Sequence, residues 1–285
     1  MGEKVAEIEF FDVGNHAEIG HLSTDKVTKC SDKVFVLKKT FTLDFLVGSR
    51  SCLIPRDFSP RPPRETKHES KRKSREKIMH IPTCPTTETE LLTFQEALEA
   101  AQAPSSDYDA DRWLYVPNTY REYRYLLGTR GSRPLLCLGV NPSTAVPGDL
   151  DNTLKSVERV ALHNGFDSFI MGNVYAQRAT RPGDMERTLN PDLHRENLAA
   201  FAYALSLSES PAVWAAWGTV IEQRPYLPGC VRDLIEVGRR YGARWYTAGA
   251  RSKRGHPHHP LYLRKDSLLE EFDAEAYCDS LFAAP

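Results

Sequence analysis

From about Leu91 onward, short apolar runs alternate with stretches in which apolar residues recur three and four positions apart. The continuous runs predict buried strands, and the three-to-four spacing predicts helices that bury one face. The predicted strands are 133–140, 167–174, 212–218 and 243–249, and the predicted helices are 91–102, 154–163, 192–207 and 231–241. Regular alternation of this kind is typical of an α/β protein.

Strands that are joined through helices form right-handed crossovers and pair in parallel. We therefore expect a three-layer αβα domain over residues 91–285, with a central, mostly parallel, four-stranded sheet between two helical layers. Residues 120–127 are predicted to form a hairpin with 133–140 across Gly128-Thr129-Arg130-Gly131. Ligands of such sheets bind at the carboxyl ends of the strands, so the residues after each strand are the first candidates for a site.

Residues 1–90 have a different pattern and are predicted to be an N-terminal extension of low order. Within it, 55–78 is a basic, proline-rich linker, with nine Lys or Arg and four Asp or Glu between Arg56 and Lys77. Few of these side chains are apolar, so burial would not offset the entropy of ordering them. A solvated linker is one interpretation, and an arm that follows a phosphate backbone is the other.

The charge balance narrows the classes of function. Lys and Arg number 37 and Asp and Glu 38, for a formal net charge of -1. This balance argues against a wholly basic nucleic-acid binder but leaves local patches of basic residues possible.

No apolar run is long enough to predict a membrane span. The six cysteines are dispersed without a Cys-x-x-Cys pair, which favours a reduced cytoplasmic protein. We expect a monomer without cofactor, metal or membrane contact.

Amide side chains follow two of the predicted strands. Asn141 comes directly after the first strand, beside Ser143 and Thr144, and Asn173 ends the next strand. An amide both donates and accepts, which suits it to hold a water or the edge of a base, although either Asn could instead cap a turn. Arg178 follows Asn173 as a candidate phosphate ligand or a solvated loop charge. Two amides at one sheet edge favour a shared binding site.

The loop 250–262 is the densest polar segment of the chain. Its basic residues are Arg251, Lys253 and Arg254, and three histidines occupy four consecutive positions from 256 to 259. Pro257 and Pro260 interrupt the histidines, so the helical spacing of a metal-binding pair is not formed. The loop therefore favours an anionic or electron-rich substrate over a metal.

Together these residues resemble the bacterial family called domain of unknown function 1643. The resemblance covers 120–272, roughly half of the chain, and implies an α/β fold. The shared landmarks are Asn141-Pro142-Ser143-Thr144-Ala145, Asp151-Asn152-Thr153, Asn173-Val174-Tyr175-Ala176, Arg178-Ala179-Thr180, Glu196-Asn197, Ala216-Trp217-Gly218 and His259-Pro260-Leu261-Tyr262-Leu263.

The same landmarks are similar, more distantly, to the uracil-DNA glycosylase superfamily. Gly139-Val140-Asn141-Pro142 resembles the first active-site motif of its mismatch-specific branch, in which the Asn positions the attacking water. Asn173 falls at the strand end where that superfamily reads the extruded base, and Trp217-Gly218 is similar to its third strand end. His259-Pro260 resembles the His-Pro motif whose His stabilises the departing pyrimidine. No Phe stands where a stacking aromatic follows the first motif, so Tyr175 is the candidate for that role.

The resemblance implies a uracil-DNA glycosylase-like site at the strand ends. The candidate catalytic residues are Asn141 and His259, the candidate substrate-binding residues are Ser143, Thr144, Asn173, Tyr175, Arg178, Trp217, Leu261 and Tyr262, and the candidate phosphate-binding residues are Arg251, Lys253 and Arg254. The implied function is nucleobase recognition, with N-glycosidic bond hydrolysis on DNA as the candidate reaction and DNA or nucleotides as partners. The alternatives are a non-catalytic binder of nucleotides or modified nucleic acid, and an enzyme acting on a free nucleoside or small metabolite.

Overall fold

The computed structural model describes residues 79–282, so the expectations for residues 1–78, including the basic linker 55–78, lie outside the described residues. Within that range seven strands form one sheet: β1 (Trp113–Val116), β2 (Leu126–Thr129), β3 (Pro134–Gly139), β4 (Ser168–Asn173), β5 (Ala212–Ala215), β6 (Arg244–Ala248) and β7 (Leu269–Glu271). The helices are α1 (Phe94–Gln102), α2 (Asn152–His163), α3 (Pro191–Ser206), α4 (Leu227–Arg240) and α5 (Ala274–Phe282).

Four of the strands form the parallel core that the alternation of elements predicts. β3 pairs in parallel with β4 on one side and with β5 on the other, and β5 pairs in parallel with β6. Every residue of β3, β4 and β5 is buried, as expected for strands that helices cover on both faces. The α/β class and the four parallel strands are confirmed.

The sheet is larger than the sequence predicts. Its order is β1-β2-β4-β3-β5-β6-β7, with antiparallel β1 and β2 beyond β4 and antiparallel β7 beyond β6. The expectation of four strands was wrong because the three added strands are no longer than four residues and do not alternate with helices. Segments this short carry little periodic signal.

The predicted hairpin between 120–127 and 133–140 was also wrong, because β2 pairs with β1 and, along its other edge, with β4. Gly128 lies within β2 and not in a turn. A Cβ at Gly128 would stand 2.1 Å from the carbonyl oxygen of Phe169 in β4. Glycine at this position therefore permits the close approach of the two backbones.

Local capping explains where the helices begin. Thr93 and Glu96 form a capping box at the start of α1, and Asp151 caps α2 by accepting from the Leu154 amide at 2.9 Å. α4 begins at Leu227 and not at the predicted residue 231, because Pro228 is tolerated in a first helical turn. None of the helices between residues 79 and 282 is long and apolar enough to cross a membrane.

The helices divide the apolar core into two layers. α2 buries Leu154, Val157 and Val160 against one face of the sheet, with Trp214 of β5 in the same cluster. α1, α3, α4 and α5 pack their buried residues against the opposite face. Burial on both faces leaves the carboxyl ends of the parallel strands, together with their following loops, as the place where polar side chains collect.

Residues 79–90 are in contact with the α/β domain. The His80 amide donates to Thr180 Oγ1 at 2.7 Å, and Thr86, which is fully buried, donates through its amide and its hydroxyl to the Glu186 carboxylate at 2.9 and 2.7 Å. These bonds link the segment to the loop that follows β4.

The contact between β2 and β4 generates a stability prediction. We expect Gly128→Ala to lower the free energy of unfolding by about 1–3 kcal/mol, because the new methyl group would overlap the β4 backbone. Gly229→Ala is the matched control, since a Cβ at that position in α4 meets nothing within 4 Å. Urea unfolding of the two variants measures the difference, and equal stability would contradict this account of Gly128.

Candidate functional site

The pairing of β3 with β4 brings the two predicted amides to one edge of the sheet. Gly139 lies opposite Asn173 in the register, and Asn141 follows two residues after Gly139. The Asn141 amide nitrogen donates to the carbonyl oxygens of Ala179 at 2.7 Å and of Pro142 at 3.1 Å. Asn141 therefore ties the loop after β3 to the loop after β4, while its amide oxygen makes no hydrogen bond within residues 79–282.

Asn173 is the least satisfied polar side chain at this edge. It is 2% exposed, and neither its amide nitrogen nor its amide oxygen has a hydrogen-bond partner within the described part of the chain. A Cβ at Gly139 would stand 3.2 Å from the Asn173 amide oxygen and 2.6 Å from Met171 Cε, so glycine there lets both side chains pack close to β3. Burying an unpaired amide costs about 1–3 kcal/mol, which the fold must offset elsewhere.

His259 is held against the end of the third parallel strand. Gly218 follows β5 with a φ of 63°, and a Cβ there would lie 3.5 Å from the Cβ of His259. The His259 Nδ1 accepts from the Leu261 amide at 3.2 Å, so the neutral ring carries its proton on Nε2. Burial of the ring and, to a smaller extent, the charge of the neighbouring His258 lower the pKa of His259. The side chain is thus a neutral imidazole with an N–H donor.

Asp151 is a site residue that was not among the candidates from the sequence. Besides capping α2, its carboxylate raises the pKa of both His259 and Arg124 by its charge, although burial lowers both overall. The charge of Asp151 therefore acts on both the histidine and a buried arginine. Its position in the shared landmark Asp151-Asn152-Thr153 was the available signal.

Two buried arginines lie beside the loop after β3. Arg178, a predicted phosphate ligand, is fully buried and donates through Nη1 to the Ser143 carbonyl and through Nη2 to the Tyr115 hydroxyl at 3.1 Å. Arg124, which sequence reasoning did not identify, is 1% exposed and donates to the Ala145 carbonyl at 2.9 Å. The side chains of Ser143 and Thr144 are half-buried next to them.

Tyr175 and Trp217 lie inside the core and not on a ligand-facing surface. The Tyr175 hydroxyl donates to the Glu186 carboxylate and accepts from the Asn190 amide at 3.0 Å, and the ring is completely buried. Trp217 is equally buried, and its indole N–H donates to the Tyr277 hydroxyl at 2.9 Å. Both rings therefore support the strand ends from within.

The loop after β6 presents its tip to solvent. Tyr262 is 92% exposed with a left-handed φ of 70°, whereas Leu261 is half-buried. The base of the loop is anchored to α2, because Ser156 Oγ donates to the Pro260 carbonyl at 2.7 Å. The exposed Tyr262 thus lies on a loop whose base is held by α2.

The predicted phosphate-binding residues of this loop are all exposed. The Arg251 guanidinium lies 5.9 Å from the centre of the Phe272 ring, and Arg254 forms an ion pair with Glu222 at 2.8 Å. Lys253 is exposed between them. Arg251 and Lys253 are therefore the more available cations.

His256, the first histidine of the loop, has a separate environment. It is buried between the Tyr277 hydroxyl at 2.8 Å and the Glu222 carboxylate at 2.5 Å, so it holds the loop to the protein.

Two clefts of about 370 Å³ each lie away from the amides, one near Thr86 and Glu196 and the other near Glu222 and His256. Within residues 79–282 no group of three or more histidines, cysteines or carboxylates is arranged to hold a metal.

The electrostatic link between Asp151 and His259 generates a prediction. In Asp151→Asn the amide still caps α2, but the negative charge that favours the protonated ring is lost, so His259 should titrate at a lower pH. Asp266→Asn, which removes a carboxylate paired with Arg264, is the control and should leave the midpoint unchanged. An NMR titration of the ring measures both, and an unchanged or higher midpoint in Asp151→Asn would refute the link.

Comparison with known proteins supports one of the two resemblances that the landmarks indicated, the one to the domain of unknown function. No curated protein and no solved structure matches the chain. A family model does match, and it includes Arg124, the strand-end amides, Arg178 and His259. Residues 124–261 match the family described as protein of unknown function (DUF1643).

Proposed function

We propose that this chain binds a nucleobase at the ends of its parallel strands and hydrolyses the N-glycosidic bond that joins the base to DNA. The observation that carries the proposal is Asn173, a buried amide whose donor and acceptor are both unpaired. A base edge offers an acceptor beside a donor and would satisfy both atoms at once. Because Asn173 is covered, entry of a base requires the side chains around it to move.

The proposed reaction adds water to the anomeric carbon of the sugar as the bond to the base nitrogen breaks. The base leaves with the electron pair of that bond, and the proton of the water ends on the departing base. The amide oxygen of Asn141 would orient the water, because the amide nitrogen is already fixed by two carbonyls. The Nε2–H of His259 would donate to the base oxygen as negative charge develops there.

A base within a duplex has to leave the stack before a pocket can take it. Tyr262 suits the role of an inserted side chain, because its ring is exposed on a loop anchored to α2. Arg251 and Lys253 are exposed on the same loop and would contact phosphates. The motif resemblance to the uracil-DNA glycosylase superfamily supports the same assignment of Asn141, Asn173 and His259.

A second candidate function is recognition of a base without hydrolysis. It is favoured by Asn141, whose amide nitrogen links two loops and whose hydrogen bonds within residues 79–282 go to carbonyl oxygens and not to a carboxylate. Such a protein would bind modified nucleic acid or nucleotides and release the ligand unchanged.

Removing the imidazole donor tests the proposed reaction. We expect His259→Gln to lower base release from oligonucleotides that contain uracil or a mismatch by about 10²-fold, because a preorganised donor to the developing charge is lost. His163→Gln, an exposed histidine at the end of α2, is the matched control. Alkali-labile strand breaks report base release. Equal activity in both variants would refute the role of His259, and salt-sensitive binding without breaks would favour the second candidate.

Replacing the unpaired amide separates a binding role from a structural one. Asn173→Leu has a similar shape and removes two unsatisfied buried atoms, so we expect the unfolding midpoint to be unchanged or higher. The same variant should lose affinity for deoxyuridine by about tenfold or more, since it loses both hydrogen bonds to the base. Thermal unfolding and calorimetric titration give the two values. A less stable variant that still binds the nucleoside would contradict the proposal.

A further inference from the structure

Two arginines share one buried patch beside the loop after β3. Arg124 is 1% exposed and Arg178 is fully buried. Their Nη1 atoms converge on one acceptor, the Ala145 carbonyl, at 2.9 and 3.4 Å. The two cations are therefore close neighbours in a site that excludes water.

Neither arginine has an acidic partner in contact. Within residues 79–282 no carboxylate forms an ion pair with Arg124 or Arg178, and the Nε atom of each is buried without a hydrogen-bond acceptor. Burial and the charge of Arg178 lower the pKa of Arg124 to about 9, and burial also lowers the pKa of Arg178. Because arginine is not deprotonated in proteins at neutral pH, both guanidiniums are cationic. Buried charges are ordinarily paired, so this arrangement is costly as it stands.

One aromatic side chain separates the pair from solvent. The Arg178 guanidinium lies 4.2 Å from the centre of the Tyr120 ring, and that ring is 49% exposed. The Tyr120 hydroxyl makes one hydrogen bond, to His80 Nδ1 at 3.1 Å. Rotation of Tyr120 would break this hydrogen bond, the edge contact with the His80 ring and the stacking contact, and it would uncover the Arg178 guanidinium.

We propose that Arg124 and Arg178 form a binding site for a phosphoryl group, which enters past Tyr120 and accepts hydrogen bonds from both guanidiniums. A phosphate monoester carries close to two negative charges at neutral pH and so balances two cations, whereas a carboxylate would balance one. The half-buried Ser143 and Thr144 lie beside the patch as further donors. This site goes beyond the proposed function, in which exposed cations of the loop after β6 contact phosphates.

Calorimetric titration of the full chain with inorganic phosphate tests the site. We expect wild type to bind phosphate and Arg124→Met to bind it about tenfold or more weakly, because a charge-assisted hydrogen bond and a charge are lost. Arg124→Met leaves the Ala145 carbonyl bonded to Arg178, so the unfolding midpoint in phosphate-free buffer should not fall. Arg240→Met, which removes an exposed arginine of α4, is the control and should bind like wild type.

Absence of phosphate binding by wild type, or equal affinity in wild type and Arg124→Met, would overturn the proposal. If Arg124→Met does not fold, Arg124→Lys keeps the charge without the planar fork, and it should also bind phosphate more weakly. Titrations with deoxyuridine monophosphate and with a single-stranded trinucleotide distinguish a terminal phosphate from a backbone diester as the natural source.

The same titrations distinguish this site from the proposed base site. Asn173→Leu should retain phosphate binding and lose deoxyuridine, whereas Arg124→Met should retain deoxyuridine and lose phosphate. If Asn173→Leu still binds phosphate but neither wild type nor any variant binds deoxyuridine, the arginine site is upheld and only the base site is refuted.

Discussion

The parallel register between β3 and β4 is the constraint on which the candidate site depends. Six consecutive pairs run from Pro134 opposite Ser168 to Gly139 opposite Asn173. Because side chains alternate between the faces of a strand, a shift by one residue would turn Asn173 to the opposite face. The buried apolar residues on both faces of β3 and β4 prevent that shift. The position of a polar side chain is therefore fixed by the packing of its apolar neighbours.

A second set of contacts brings the distant loop to the same edge. Ser156 in α2 bonds the Pro260 carbonyl, and Arg159 bonds the Leu263 carbonyl at 3.2 Å. Asp151 caps the N-terminus of α2, and its charge also acts on His259. One helix thus connects the loop after β3 with the loop after β6, although more than a hundred residues separate them. The capping of α2 and the electrostatic environment of His259 thus depend on the same residue.

Much of the fold could be predicted from the sequence, and the reason for the failures is physical. β3, β4 and β5 are buried on both faces and appear as mostly apolar runs, whereas β1, β2 and β7 are short and take their conformation from their neighbours. Asn141 and Asn173 were predicted as site residues because they stand at the ends of predicted strands, and His259 because of its loop and the His-Pro motif that it resembles. Arg124 was not found, because the mixture of Tyr with charged residues over 120–125 is typical of a half-exposed strand. Burial of both faces there depends on α1 and the loop after β3, which no local pattern specifies.

Three side chains at the predicted site depart from the rules of stable packing. Asn173 leaves a donor and an acceptor unpaired, and Arg124 and Arg178 bury two like charges without an ion pair to a carboxylate within residues 79–282, although Asp151 acts on Arg124 by its charge. Each of these features lowers stability, and apolar residues of similar size would fit such positions at less cost. Other buried polar groups, such as Asn197, which bonds the Asn173 and Val174 carbonyls, are paired within the protein, while His194, Trp214 and Thr247 each leave one buried atom unpaired. Within the described residues Asn173 is the buried side chain that leaves both a donor and an acceptor unpaired. Because sequences depart from local consistency mainly where function requires it, the place of Asn173 at the end of β4 is itself an argument that a ligand binds there.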